Sequence, residues 1–231
     1  LFISIILYIF LSHSTLLPSY ESYMHIDSQV YIYAGKQIIN GKILYRDFFD
    51  HKGPMMYIFE VVGLFVYQKN FIGIWLVQYL FLVCSIAPLI IFFAKKYSFL
   101  QASVALLFLF AWLSRTTTIS DNIPELYAVG FVSLIYFFYF KLLYSTVNIK
   151  WNSFFIAFFS TYLFLLKPNF VILVLPFIFH LYYYKFSSPF FKTIFIYNAL
   201  RVLLFSILII LYFFYNHTFY PFCLYLYSFN F

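Results

Sequence analysis

Two long apolar runs, near 71–94 and 193–215, constrain this chain more than anything else in it. Each is long enough to cross a hydrocarbon core of about 30 Å, which takes roughly 17–25 helical residues. Shorter candidates lie at 1–17, 99–114, 126–144, 153–167 and 170–184. The run 55–67 is different. It covers only thirteen residues and contains Glu60 and Gly63, so it reads as a re-entrant or interfacial segment. Composition agrees with lipid as the solvent, at 65% hydrophobic residues, 9% charged residues and a mean hydropathy of +0.92. The expectation is an all-α polytopic membrane protein, a single domain over 1–231. About seven transmembrane helices are expected, with a large first extracytoplasmic loop containing interfacial helices.

Several function classes fall away on composition. A net charge of +7 could suit nucleic acid, but the basic residues fall singly or in pairs between apolar runs rather than on one hydrophilic face. No nucleic-acid partner is expected. Cys84 and Cys223 sit in apolar runs without metal-ligand spacing, which points to neither a zinc site nor a disulfide framework. No metal and no cofactor is expected. The 27% aromatic content is partly what an AT-rich coding sequence produces, and no stacking site is read from it. The chain opens at Leu1 inside an apolar run and closes on "CLYLYSFNF", which suggests a fragment of a longer protein.

Orientation follows from the distribution of Lys and Arg, which concentrate in short cytoplasmic loops. Three loops, "AKKYS", "KLLYSTVNIK" and "KFSSPFFK", carry Lys95, Lys96, Lys141, Lys150, Lys185 and Lys192. They are separated by pairs of spans, as one cytoplasmic side requires. The segments 18–70, 115–125, 167–169 and 216–221 then face outward. If 55–67 crossed as well, every later loop would invert and the lysine-bearing loops would lie outside, against the bias.

The first outward loop concentrates the scarce charge. Its stretch "YRDFFDHKGPMMY" holds Arg46, Asp47, Asp50, His51 and Lys52. Ahead of it a surface helix is expected at about 28–40, with Val30, Tyr33, Ala34 and Ile38 on one face and a left-handed stop at Gly41. Asp27 immediately precedes that helix, where a carboxylate commonly caps the first free N–H groups.

In combination, an acid after the first span, an interfacial helix ending in "NGKILYRD" and then "FFDHKGP" resemble the first external loop of GT-C integral-membrane glycosyltransferases. The nearest likeness is to the branch of protein O-mannosyltransferases and lipid A aminoarabinose transferases. There the loop runs from an acid through a "G…Y.D" turn to "D.HPP" or "EKPP", a motif that here reads "DHKGP". The specific motifs lie in 27–54, with weaker echoes at 121–125 and 167–169. Gly53-Pro54 replaces the double proline of the relatives, and those relatives usually carry more spans and a C-terminal part.

The resemblance implies a polytopic enzyme of a bacterial cytoplasmic membrane, with its site facing outward. It would take a sugar from a polyprenyl-phosphate donor and pass it to a lipid, glycan or protein acceptor. Asp27 matches the general base, against its reading as a helix cap. Lys52 matches the lysine that grips the lipid phosphate, against a snorkelling role at the interface. Lys167, in an apolar hairpin with Pro168 and Asn169, and Arg46 are further donor-phosphate candidates. Asp50, Asp121 and Glu125 are candidates for positioning the acceptor, and "NIPELY" is similar to the "N..E.Y" of bacterial members. Asp121 and Glu125 could equally cap the helix that begins near Pro124. A different class remains open: a transporter or flippase of lipid-linked glycans, in which the same charges line a path. Transporters usually keep polar groups at mid-membrane in broken helices, whereas the charges here cluster in loops.

Overall fold

The computed structural model describes residues 14–17, 26–48, 50, 52–96, 101, 122–144, 148–185, 207 and 210–228. The chain is all-helical over those residues, with no strand and one isolated bridge between Leu44 and Phe48. In order the helices are α1 (Ile26–Ile39), α2 (Pro54–Val66), α3 (Ile72–Lys96), α4 (Pro124–Tyr144) and α5 (Ile149–Leu166). A 3-10 helix over Pro168–Leu173 follows, then α6 (Leu175–Lys185) and α7 (Phe219–Ser228). Helices α3, α4 and α5 are long and apolar enough to cross a membrane, which is compatible with an integral membrane protein. The expected spans 1–17, 99–114 and 193–215 lie largely or wholly outside the described residues.

One expectation about elements changes. The run 170–184 is not one span, because the chain leaves α5 at an extended Lys167, takes a 3-10 course from Pro168 and restarts as an eleven-residue helix. Proline at the head of the 3-10 helix cannot donate back to α5, which ends that helix. The 55–67 run, by contrast, is the thirteen-residue α2, too short to cross by itself.

The chain divides into two compact units: Leu1–Gly41 with Met55–Gly130, and Lys42–Pro54 with Phe131–Phe231. In the first, Ile32, Leu64, Ile74, Trp75, Leu82, Ile86 and Leu126 form a common core. Glycines set how closely its helices approach. A Cβ on Gly35 of α1 would stand 2.7 Å from Cβ of Glu60, and one on Gly73 would run into the backbone carbonyl of Gly63. Asn70 Oδ1 accepts from Ile72 N–H at 3.0 Å and so caps α3.

Helices α1 and α2 both expose large apolar side chains as well as burying them. Helix α2 buries Glu60 and Gly63 while exposing Ile58, Val62 and Phe65. On α1 the buried residues are Ser28, Tyr31, Ile32, Ala34 and Gly35, and Val30 and Tyr33 are exposed. Of the four residues expected on one face of α1, Val30 and Tyr33 are exposed, Ile38 is half-buried and Ala34 is buried. Gly35 lets α1 approach α2 closely. Apolar groups turned outward are costly in water and favourable against lipid tails.

The second unit packs aromatic side chains along α4, α5 and α6. Phe138 stacks on Phe155 at 4.7 Å, and Phe131 stacks on Tyr162 at 6.1 Å. The Tyr139 hydroxyl and His180 Nδ1 share a hydrogen bond of 2.8 Å, which ties α4 to α6.

Candidate functional site

The charged turn that follows α1 belongs to the second unit. Gly41 takes φ +82°, as a left-handed helix stop requires. The chain then folds back so that Tyr45 N–H donates to Phe48 O at 2.9 Å, with Tyr45 itself at φ +66°. That conformation costs a non-glycine residue about 1–2 kcal/mol, and burial offsets it. Tyr45 is buried against Phe213 and Phe222, with ring centroids 5.4 and 6.1 Å away. Its hydroxyl donates to the backbone carbonyl of Lys52 at 2.6 Å.

The glycine, tyrosine and aspartate of the "G…Y.D" turn thus each have a structural task. Asp47 Oδ2 accepts from Ile43 N–H at 2.8 Å, and its two oxygens take Arg46 Nε at 2.9 Å and Nη2 at 3.2 Å. The Arg46 guanidinium, and after it the Ile43 amide, hold the Asp47 carboxyl down to about 2, and Asp47 in turn raises Arg46. Arg46 is thus already forked onto a carboxylate, a contact that the sequence did not suggest. Asp50 is half-buried between this turn and Lys52.

Lys52 is buried, at 9% exposure, and among the described residues it forms no ion pair. Immediately after it, Gly53 N–H donates to Leu166 O at 3.2 Å. Leu166 is the last residue of α5 and Lys167 follows it. One backbone hydrogen bond therefore has Lys52 beside its donor and Lys167 beside its acceptor. Lys167 is half-buried, with its ammonium 5.2 Å from the centroid of the Phe170 ring.

Asp27 and Glu125 fall in the first unit. Asp27 is exposed and lies within the first turn of α1 rather than ahead of it, because the helix already begins at Ile26. In that position it faces the positive end of the helix dipole without being the residue before the helix. Glu125 is half-buried in the first turn of α4. The Ser28 hydroxyl donates to the Asn122 carbonyl at 3.2 Å, which sets the first turn of α1 beside the entry to α4. Asp121 lies outside the described residues.

Sequence reasoning missed the polar centre of this unit. Asn122 Nδ2 donates to Glu60 Oε1 at 2.6 Å, while Asn122 Oδ1 receives the Tyr127 hydroxyl at 3.3 Å and Gln78 Nε2 at 3.5 Å. Glu60, Asn122, Gln78 and Tyr127 are all buried. Burial pushes the Glu60 carboxyl up to about 8, against the opposing pull of the Asn122 hydrogen bond. Glu60 Oε2 and Gln78 Oε1 accept no hydrogen bond among the described residues. The available signals were the lone acid of a thirteen-residue apolar run, the lone amide within the apolar residues of α3, and the asparagine of "NIPELY".

No family model, curated protein or solved structure matches this chain. The class set by the fold is an all-helical protein, over the described residues, with three helices able to cross a membrane.

Proposed function

We propose that this chain is a glycosyltransferase of GT-C type, using a polyprenyl-phosphate sugar donor at the extracytoplasmic face of a membrane. The observation that supports the reading is the Gly53–Leu166 hydrogen bond, because it sets the main chain next to Lys52 against the main chain next to Lys167, and the motifs make both cations candidates for one lipid phosphate. Buried or half-buried ammonium groups hold a phosphate more strongly than exposed ones, since water competes less for both charges. Arg46 joins them only by loosening its hold on Asp47.

In the reaction an acceptor hydroxyl or amine attacks C1 of the sugar, the bond from C1 to the phosphate oxygen breaks, and polyprenyl phosphate leaves with both electrons of that bond. Asp27 takes the acceptor proton. Asp50, Asp121 and Glu125 position the acceptor, while Lys52 and Lys167 stabilise the charge developing on the phosphate. Transfer from a radiolabelled polyprenyl-phosphate donor in membranes tests these roles. Asp27→Asn should lower turnover by about 10²–10⁴-fold with donor binding intact. Lys52→Ala should weaken both binding and turnover. Near-normal turnover in Asp27→Asn would leave Asp27 a helix-end charge and remove the central residue of the proposal.

A second reading, a transporter or flippase of lipid-linked glycans, is favoured by one observation: the buried Glu60–Asn122–Gln78 centre. Ionisable groups inside apolar helical bundles commonly mark translocation paths. Movement of intact lipid-linked glycan across proteoliposomes, with no new glycosidic bond formed, would select it.

A further inference from the structure

The polar centre around Asn122 leaves buried oxygens unmet. Its hydrogen bonds run from Asn122 Nδ2 to Glu60 Oε1, and from Gln78 Nε2 and the Tyr127 hydroxyl to Asn122 Oδ1. Two buried acceptors are left over, Glu60 Oε2 and Gln78 Oε1. Turning the Gln78 amide over would not help, because its oxygen would then face Asn122 Oδ1, acceptor against acceptor. Turning Asn122 over would set its oxygen against Glu60 Oε1. The second hydrogens of the two amides reach neither oxygen, and reorienting an amide does not supply a donor to both.

We propose that this centre is a proton-binding site, in which Glu60 carries a proton on Oε2 in the folded protein and Gln78 Oε1 accepts it. Protonated Glu60 is neutral, and a single hydrogen satisfies both leftover oxygens. A metal cation fits poorly. Hard cations take about six or more oxygen ligands, whereas only two oxygens are unpartnered here and Asn122 presents its NH₂ towards the carboxylate. Among the described residues no group of three or more His, Cys, Asp or Glu stands ready to hold a metal.

Among the described residues the surroundings supply no balancing charge. Glu60 is the only charged residue of α2. From α1 it meets Gly35, which has no side chain. Helix α3 brings Gln78 to the same Asn122, and the entry to α4 brings Asn122 itself and Tyr127, a titratable group in electrostatic reach. An ionised Glu60 would be a buried, unpaired carboxylate, an arrangement costing far more than a neutral acid. This inference is independent of the glycosyltransferase reading, since it concerns no donor and no acceptor.

The test is infrared difference spectroscopy of the full chain in membranes at neutral pH, following the carbonyl stretch of a protonated carboxyl and its shift in D₂O. A deuterium-sensitive band should be present, absent from Glu60→Gln, and unchanged when sodium replaces choline in the buffer. In Gln78→Leu the band should persist but move to the higher frequency of an acid with no acceptor. Absence of any Glu60-dependent band at neutral pH overturns the proposal, and so does a band that sodium abolishes, which would make this a cation site. Should Glu60→Gln fail to fold, Gln78→Leu decides alone: a band unmoved by loss of the Gln78 oxygen overturns the pairing.

Discussion

The turn at 43–48 and the centre around Asn122 treat a carboxylate in opposite ways. In the turn, Asp47 is solvent-accessible, forked by Arg46 and capped by a backbone amide, and its carboxyl is held down to about 2. In the centre, Glu60 is wholly buried with one amide donor and no cation, and it is pushed up to about 8. The dense cluster of charges is electrostatically relaxed and the solitary charge is not. Charge count along a sequence is therefore a poor guide to where ionisation is costly; the number of donors that reach each oxygen is a better one.

Four perturbations would break or sharpen that contrast. The largest effect is expected from Asn122→Leu, which strips Glu60 of its donor and leaves Gln78 and Tyr127 without their shared acceptor. At about 1–3 kcal/mol for each buried group left unpaired, thermal unfolding in detergent should show a loss of about 3 kcal/mol or more. A loss no greater than that of an ordinary surface change would mean that the centre is not a connected network.

Next comes pH. Below 4.5 the Glu60 carboxyl is protonated whether the chain is folded or unfolded. Between 4.5 and about 8 the folded state keeps a proton that the unfolded state releases, so stability falls as pH rises, by about 1.4 kcal/mol per unit. Glu60→Gln should flatten unfolding curves across that window. Asp47 has the reverse signature, its contribution being present above 3.8 and lost as pH falls towards 2. A slope of equal size in Glu60→Gln would assign the pH dependence to another group.

A smaller cost, about 1–3 kcal/mol, is expected for Gly35→Ala, since the added methyl meets Cβ of Glu60 and overpacked cores pay in that range. Its thermal midpoint should fall at every pH, which separates steric from electrostatic damage. The smallest effect belongs to Arg46→Ala, because exposed ion pairs contribute little. No measurable change in the midpoint at moderate salt is expected, and a large one would show that the turn depends on its salt bridge rather than on Tyr45.

What the sequence disclosed depended on length and on punctuation. The long run 71–94 became α3, the shorter candidates 126–144 and 153–167 became α4 and α5, the thirteen-residue run became α2, and Gly41 took the left-handed stop that its position demanded. Lys52 was marked by its motif and Lys167 by charge in apolar surroundings, but nothing local indicated that Gly53 would bond to Leu166, since that contact depends on tertiary packing. The sequence put Val30, Tyr33, Ala34 and Ile38 on one face of α1, but it did not show that Tyr31 and Ile32 would be buried beside Ser28 and Gly35 while Val30 and Tyr33 stay exposed. Glu60 was visible as an oddity of α2 and nothing more, because its partner Asn122 lies sixty-two positions away.

Where Gly73 meets the carbonyl of Gly63, main chain touches main chain with no side chain between them to act as a bearing. Sliding or twisting α2 along the start of α3 would drive a peptide group into its neighbour, so the pair has almost no internal degree of freedom. The short helix and the long one are in effect a rigid fork. A flap that swings on rotamer changes cannot be made from it, and any conformational cycle of this unit must carry both tines together.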